Sequence, residues 1–282
     1  MSRIDPLRIA TLSDDRPANR AMALGLAEAI ARLRPTETGT EAGAATLLIG
    51  AGRAGNLAAA RARAPGRPAV AILAPPLPWL RFDAVLAPAH DRLRRRGVIE
   101  TVGALHPLTP EALAEAGRAR PLPPGASVAL IGGPSRSAVW GRDAAAALAG
   151  NLARLAALGP VFATTSRRTP EAVVAALRAL PGVTLWTGGK DRPNPYPGWL
   201  AGAARVLVTS DSVSMASEAA VTGRPIFVAT PGRIAAKLRR FHADLAARGI
   251  ARGAEEIGAE WTYPPLREAD RVAPLLLERL GL

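Results

Sequence analysis

The sequence predicts an α/β protein made of two Rossmann-like domains whose parallel sheets face a cleft. Three observations predict it. Short apolar runs rich in Val, Ile, Leu and Ala recur along the chain. Each leads into a polar loop and then a helical segment, the order that builds parallel sheets. The pattern breaks at Arg120-Pro121-Leu122-Pro123-Pro124-Gly125 and restarts directly after it. Finally, residues 206–231 spell out one complete strand-loop-helix-strand unit, whose crossover requires a parallel pair. The expected division is an N-terminal domain over 1–122, a C-terminal domain over 123–265, and a last helix over 266–282 placed to pack back on the first domain.

Residues 7–12 read as the first strand. Ser13-Asp14-Asp15-Arg16-Pro17-Ala18-Asn19-Arg20 is the polar loop at its carboxyl end, where open α/β sheets bind ligands. Met22, Leu26, Ile30 and Leu33 follow at helical spacing and predict an amphipathic helix to about Arg34. Asp14 and Asp15 are candidate general bases or hydroxyl acceptors, and turn chemistry is the plainer reading for each alone. Residues 35–45 are rich in Thr, Gly and Glu and read as loop. Residues 46–50 give a second strand, and an Ala-rich helix runs through Arg63. The Gly50-Ala51-Gly52-Arg53-Ala54-Gly55 turn between them resembles a phosphate loop, although a tight strand-to-helix turn also wants Gly. Residues 69–73, 84–88 and 98–102 are further strands. Trp79 and Phe82 read as exposed aromatics in a Pro-rich loop. His90 and His106 each fall just past a strand end, on the ligand side, though a lone His is more often structural.

After the hinge, residues 127–131 form a strand, Gly132-Gly133-Pro134-Ser135-Arg136 its loop, and 143–158 a long helix. Residues 160–165 are a strand, and Ser166-Arg167-Arg168-Thr169-Pro170-Glu171 opens the next helix. Residues 183–186 are a strand, and Asn194-Pro195-Tyr196 leads through a short helix to 206–231. There Val206-Leu207-Val208-Thr209 is a buried strand and Ser210-Asp211-Ser212-Val213-Ser214 a loop. Residues 215–221 are helical and end at Thr222-Gly223-Arg224-Pro225. Three hydroxyls and a carboxylate where a strand feeds a helix suit a phosphate, because a helix start presents unpaired N–H groups. Glu218, one turn in, suits a ribose diol. The competing reading is a capping serine at Ser212 or Ser214 and a solvated Glu218. The tail reads as a basic amphipathic helix over 235–247 and an apolar helix over 272–280.

The 282 residues are 49% hydrophobic, enough for a sizeable core. Cys is absent, which excludes disulfides and thiolate metal sites. The three His residues lack metal-ligand spacing, so no metal and no cofactor are expected. No signal peptide or run of about 18 apolar residues is visible, so a cytoplasmic location is expected. Net charge is +13, and all but two of the 36 basic residues are Arg. They are spread thinly, without an aromatic-laced stripe, so nucleic acid is not an expected partner. The one dense run, Arg92-Leu93-Arg94-Arg95-Arg96, reads as a solvated helix face, or as a contact for anionic lipid or an anionic substrate.

Two resemblances extend this reading. Ser217-Glu218-Ala219 followed by Gly223-Arg224-Pro225, with Gly132-Gly133 and Ser135, resembles the GT-B class of nucleotide-sugar glycosyltransferases. The bacterial N-acetylglucosaminyltransferases that complete the lipid-linked peptidoglycan precursor are the nearest kind; their first-loop His is absent here. A set of longer blocks covers nearly the whole chain. They include Leu12-Ser13-Asp14, Arg16-Pro17, Asn19, Pro88, His90-Asp91, Gly103-Ala104-Leu105-His106, Ile131-Gly132-Gly133-Pro134-Ser135, Thr165-Ser166-Arg167-Arg168-Thr169-Pro170, Asn194-Pro195-Tyr196 and Asp211-Ser212-Val213-Ser214-Met215. Together these resemble the mitochondrial-fission "elongated mitochondria" family, whose bacterial members are described as nucleotide-sugar enzymes. Family members usually carry Gly where this chain has Asp15 and Ala18, which implies a less open first loop.

The resemblance implies a GT-B-like, metal-independent glycosyltransferase with a nucleotide-diphosphate sugar on the second domain. The donor site is expected at Gly132, Gly133, Ser135, Arg136, Ser166, Arg167, Arg168, Asp211, Ser212, Val213, Ser214 and Glu218. The loop residues would cradle the diphosphate, Arg167 or Arg168 would neutralise it, and Glu218 would hold the ribose. The acceptor would lie on the first domain with Asp14, Asp15 or His106 as base. A lipid-linked acceptor, approached by Trp79, Phe82 and residues 92–96, would place the protein peripherally on the inner membrane. Two rivals stand beside this: an adaptor at a membrane or protein partner, indifferent to changes at Glu218, and a nucleotide-sugar epimerase, which would convert the donor alone.

Overall fold

The computed structural model describes residues 5–76, 78–189 and 194–282; Leu77 of the Pro-rich loop and Lys190 lie outside them. The chain forms two compact units, Met1–Pro107 with Arg267–Leu282, and Leu108–Leu266.

The first unit contains β1 (Leu7–Ser13), α1 (Pro17–Ala31), β2 (Thr36–Gly39), β3 (Leu47–Ala51), α2 (Gly52–Ala62), β4 (Ala69–Ile72), β5 (Ala84–Pro88) and β6 (Val98–Thr101). Its sheet runs β2-β1-β3-β4-β5-β6 and every pair is parallel. Strands β3, β4 and β5 are buried at every residue. That is why they read as unbroken apolar runs: a parallel strand covered on both faces has no polar side. Four details differ from the sequence reading. Pro17 occupies the first turn of α1, so the loop after β1 shrinks to residues 14–16. Residues 36–39 are a strand, hidden because an exposed edge strand needs no apolar pattern. Phe82 is only 8% exposed and belongs to the core, while Trp79 is half-buried under the Arg95 guanidinium. Residues 92–96 are not helical; Arg92 takes a left-handed conformation that stops the turn before it.

The second unit contains α3 (Pro110–Ala119), β7 (Ser127–Ile131), β8 (Ala138–Trp140), α4 (Ala144–Ala156), β9 (Val161–Thr165), α5 (Glu171–Arg178), β10 (Val183–Trp186), α6 (Tyr196–Gly202), β11 (Arg205–Thr209), α7 (Val213–Ala219), β12 (Ile226–Ala229), β13 (Gly232–Ile234), α8 (Ala236–Ala247) and β14 (Ala251–Gly253). The sheet order is β10-β9-β7-β11-β12-β14, again all parallel. The short strands β8 and β13 pair antiparallel beside it. Leu148, Leu152 and Leu155 of α4 are fully buried against β7 and β9, each contributing about 2 kcal/mol.

The expected boundary at residue 122 is displaced. Helix α3 belongs to the second unit, because it packs on α6, where Gly198 closes on Ala116 O and Arg120 Cβ. The prolines that follow it sit inside that unit. Helix α9 (Glu268–Leu280) is part of the first unit: Glu268 Oε2 accepts from Val102 N at 2.8 Å, and Asp270 accepts from Arg32. No helix among the described residues is long and apolar enough to cross a membrane.

Candidate functional site

In an open parallel sheet, the carboxyl ends of strands leave a crevice where the direction of winding reverses. The second sheet reverses between β7 and β11, which are neighbours. The first reverses between β1 and β3. Each unit thus has one switch point, and the two are built differently.

At the second unit's switch point, three loops are tied together. Gly132 N donates to Thr209 Oγ1 at 2.7 Å, and Gly133 N donates to Asp211 Oδ2 at 3.0 Å. Arg168 also reaches Asp211 Oδ2, at 3.2 Å, and donates to Pro134 O. Thr169 Oγ1 donates to Gly132 O at 2.5 Å and accepts from Ser166 N, and Ser166 Oγ accepts from Arg168 N. The Asp211 side chain is completely buried beneath the loop, and a Cβ on Gly132 would lie 2.3 Å from Asp211 Oδ2. Only glycine fits there. Asp211 therefore holds the glycine loop in shape from beneath. Ser212 caps α7 by accepting from Met215 N at 3.2 Å, and Ser135 Oγ accepts from Ser137 N. Val213 is the first residue of α7, Ser214 is half-buried beside it, and Arg136 and Arg167 are exposed.

Glu218, on α7, accepts from the Tyr196 hydroxyl at 2.5 Å. Burial pushes the Glu218 carboxyl above its ordinary value, and the Tyr196 bond opposes that. Burial and the facing carboxylate push the Tyr196 hydroxyl well up, so it stays protonated and donates. Glu218 is thus not a solvated helix residue. The pairing of Tyr196 with Glu218 was hidden in the sequence because 22 residues separate the two. His242, on α8, lies behind the same loops with Nε2 2.9 Å from Ser210 O; burial lowers its pKa, so the neutral ring donates there.

The first unit's switch point is an open pocket of about 300 Å³. Asp14 and Arg16 after β1, Gly52, Arg53 and Asn56 of α2, and Leu73 after β4 line it. Asp14 Oδ1 accepts from Asn19 Nδ2 at 2.7 Å and from Arg16 N at 3.2 Å. The three expected bases do not converge here. Asp15 is exposed and outside this lining; His106 is buried, with its backbone against Gly25 of α1. Asn56 escaped the sequence reading because it sits in a helix otherwise read as Ala-rich. Among the described residues, no group of three or more His, Asp or Glu side chains could hold a metal ion.

Two parallel α/β units, each with polar loops gathered at its switch point, define a GT-B-like fold. Solved structures of that kind resemble the chain throughout. UDP-GlcNAc 2-epimerase from Neisseria meningitidis bound to UDP-GlcNAc is 12% identical, covering 97% of this chain and 99% of that one, with a TM-score of 0.53. The wall teichoic acid polymerase TagF is 9% identical over 99% of this chain and 89% of that one, with a TM-score of 0.51. At such identities the likeness is one of fold alone. Sequence comparison goes further. Residues 4–280 match the family model described as Mitochondrial fission ELM1. The mitochondrial fission protein ELM1 of Arabidopsis thaliana is 33% identical over 237 residues, 71% of this chain and 55% of that protein. The chain belongs to the mitochondrial fission ELM1 family. Protein RP120 of Rickettsia prowazekii (strain Madrid E) is 34% identical over 125 residues, 42% of this chain and 35% of that protein. The chain thus spans about half the length of the first of these relatives and about a third of the second.

Proposed function

We propose that the protein is a metal-independent glycosyltransferase that takes a nucleotide-diphosphate sugar on its second unit. The observation that carries this reading is the Glu218–Tyr196 pair, with Glu218 on α7, the helix that follows β11. A partly buried carboxylate fixed by a tyrosine hydroxyl is pre-oriented to accept the two hydroxyls of a ribose. The glycine loop at 132–133, held in shape by Thr209 and Asp211, carries Ser135 and Arg136 at the carboxyl end of β7. Exposed Arg136 and Arg167 supply fixed positive charge for the departing diphosphate. Arg168 is already paired with Asp211 and serves the loop instead.

Calorimetry with UDP, GDP, ADP and CMP tests the donor site. One nucleoside diphosphate should bind, and Glu218→Ala should weaken it at least about tenfold, the loss of one charge-assisted hydrogen bond. Binding that ignores this substitution, or no binding at all, would sink the assignment. A product assay on the matching nucleotide sugar alone separates transfer from epimerisation. The fission name of the Arabidopsis relative supports a second reading, an adaptor at a membrane or protein partner; partner binding unchanged by Glu218→Ala would favour it.

A further inference from the structure

The pocket at the switch point of the first sheet carries a donor and acceptor set that the nucleotide reading does not use. We infer that it binds a phosphorylated sugar or polyol, with a hydroxyl on Asp14 and the phosphate on Arg16 and Arg53.

Four features converge on that chemistry. Asn56 is 1% exposed and forms part of the pocket lining; its Nδ2 donates to Ile72 O at 3.2 Å, which ties the start of α2 to the end of β4, and its Oδ1 is buried against Gly50 of β3. Asp14 commits Oδ1 to Asn19 and to Arg16 N, which fixes the carboxylate and leaves Oδ2 as an acceptor. That oxygen stands over the first residue of α2: a Cβ on Gly52 would lie 2.5 Å from Asp14 Oδ2 and 2.2 Å from Asn19 Nδ2. Gly52 also has φ +75°, so the position demands glycine on both counts.

The positive charge is as telling. Arg53 sits in the first turn of α2, where the helix dipole opposes a cation, and Ala51 offers no side-chain cap. Arg16 lines the same pocket. A guanidinium placed against the dipole costs stability and is recovered when an anion binds between it and the helix start. Leu73, on the opposite wall, has φ +68°, a left-handed conformation uncommon for a branched side chain. Strain of that kind collects at binding sites. One carboxylate beside two guanidiniums leaves the lining net positive. A free sugar would leave the guanidiniums unused, and a bare phosphate would leave Asp14 Oδ2 unused. A volume of 300 Å³ suits one small ligand.

The inference rests on the proposed glycosyl transfer only for calling this ligand the acceptor; the binding itself stands apart. The test is a backbone and side-chain amide NMR titration of the full chain with glucose 1-phosphate, glucose, inorganic phosphate and UDP. Glucose 1-phosphate should saturate and shift the Gly52 and Arg53 amides and the Asn56 side-chain amide. It should bind at least about tenfold tighter than glucose or phosphate. Arg53→Glu, at an exposed position, should weaken it at least about tenfold. Asp14→Asn should weaken glucose 1-phosphate and leave inorganic phosphate unchanged. The inference is overturned if glucose 1-phosphate shifts none of these amides, if phosphate alone binds as well, or if Arg53→Glu changes nothing. UDP shifts report on Glu218 and residues 132–136 separately, so the donor site and this pocket fail independently.

Discussion

The two switch points occupy equivalent places in two similar sheets, yet one is closed on itself and the other is open. In the second unit, Asp211 lies wholly buried beneath the loop and takes Gly133 N and Arg168, while Ser212 and Ser135 spend their hydroxyls on neighbouring amides. In the first unit, Asp14 is half-buried at the pocket wall, with Arg16 and Arg53 exposed beside it. Polar residues at a strand end are therefore not all ligand groups. Some are the frame that holds the backbone in shape, and whether the side chain is wholly buried or reaches the surface tells which. By that criterion the second site binds through its exposed arginines and Glu218, and the first through Asp14, Arg16 and Arg53.

The largest effects should come from breaking the frame. Gly132→Ala drives a Cβ into the Asp211 carboxylate and should cost about 3 kcal/mol, read by urea denaturation, with loss of nucleotide binding. Asp211→Ala should cost a similar amount, because it leaves Gly133 N and the Arg168 guanidinium without their buried acceptor. Asp14→Ala in the first unit should cost no more than about 1 kcal/mol, since its carboxylate is half in water. Equal losses at Asp211 and Asp14 would erase the distinction between frame and ligand group.

Much of the fold was legible because buried parallel strands such as Leu47–Ala51 and Arg205–Thr209 carry few polar interruptions, and Pro and Gly mark their ends. What was hidden has a common physical cause. Thr36–Gly39 pairs on one side only and faces water, so its composition is that of a loop. The division between units followed helix packing: α3 rests on α6, and the prolines after it are local punctuation. At the sites, Asp14 could be named because it stands just past β1, and Glu218 because it lies on the helix that β11 feeds. The tasks of Tyr196 and Asn56 were not legible, because they lie in contacts 22 and 16 residues away. Asp211 was named with the wrong task, since burial beneath Gly132 leaves no trace in composition.

Leu73 sharpens the comparison from the other direction. If the left-handed backbone is strain held for the pocket, Leu73→Gly should stabilise the first unit by about 1 kcal/mol. The gain would appear in hydrogen exchange at β4 and β5 and leave the second unit untouched. Destabilisation would mean that the leucine side chain, half-buried at the wall, packs well enough to outweigh its backbone.

The smallest effects are titrations, and their signs should be opposite in the two units. Glu218 has a raised pKa, so its contribution is fully present below the ordinary carboxyl value of 4.5 and is lost as pH rises through the folded value. Glu218→Gln should therefore gain stability relative to the parent between acid and neutral pH, while losing nucleotide affinity. In the first unit, the paired hydrogen bonds from Arg63, at 2.8 and 2.7 Å, hold the Asp83 carboxyl below its ordinary 3.8. Its contribution is present above that value and lost as pH falls through the folded one. The pair is partly exposed and partly screened, so Asp83→Asn should cost about 1 kcal/mol or less at neutral pH and nothing at strongly acid pH. A loss at Asp83 that persisted below the carboxylate range would show that Asp83 acts through its bond to the Ala69 amide, and that the charge pair is incidental.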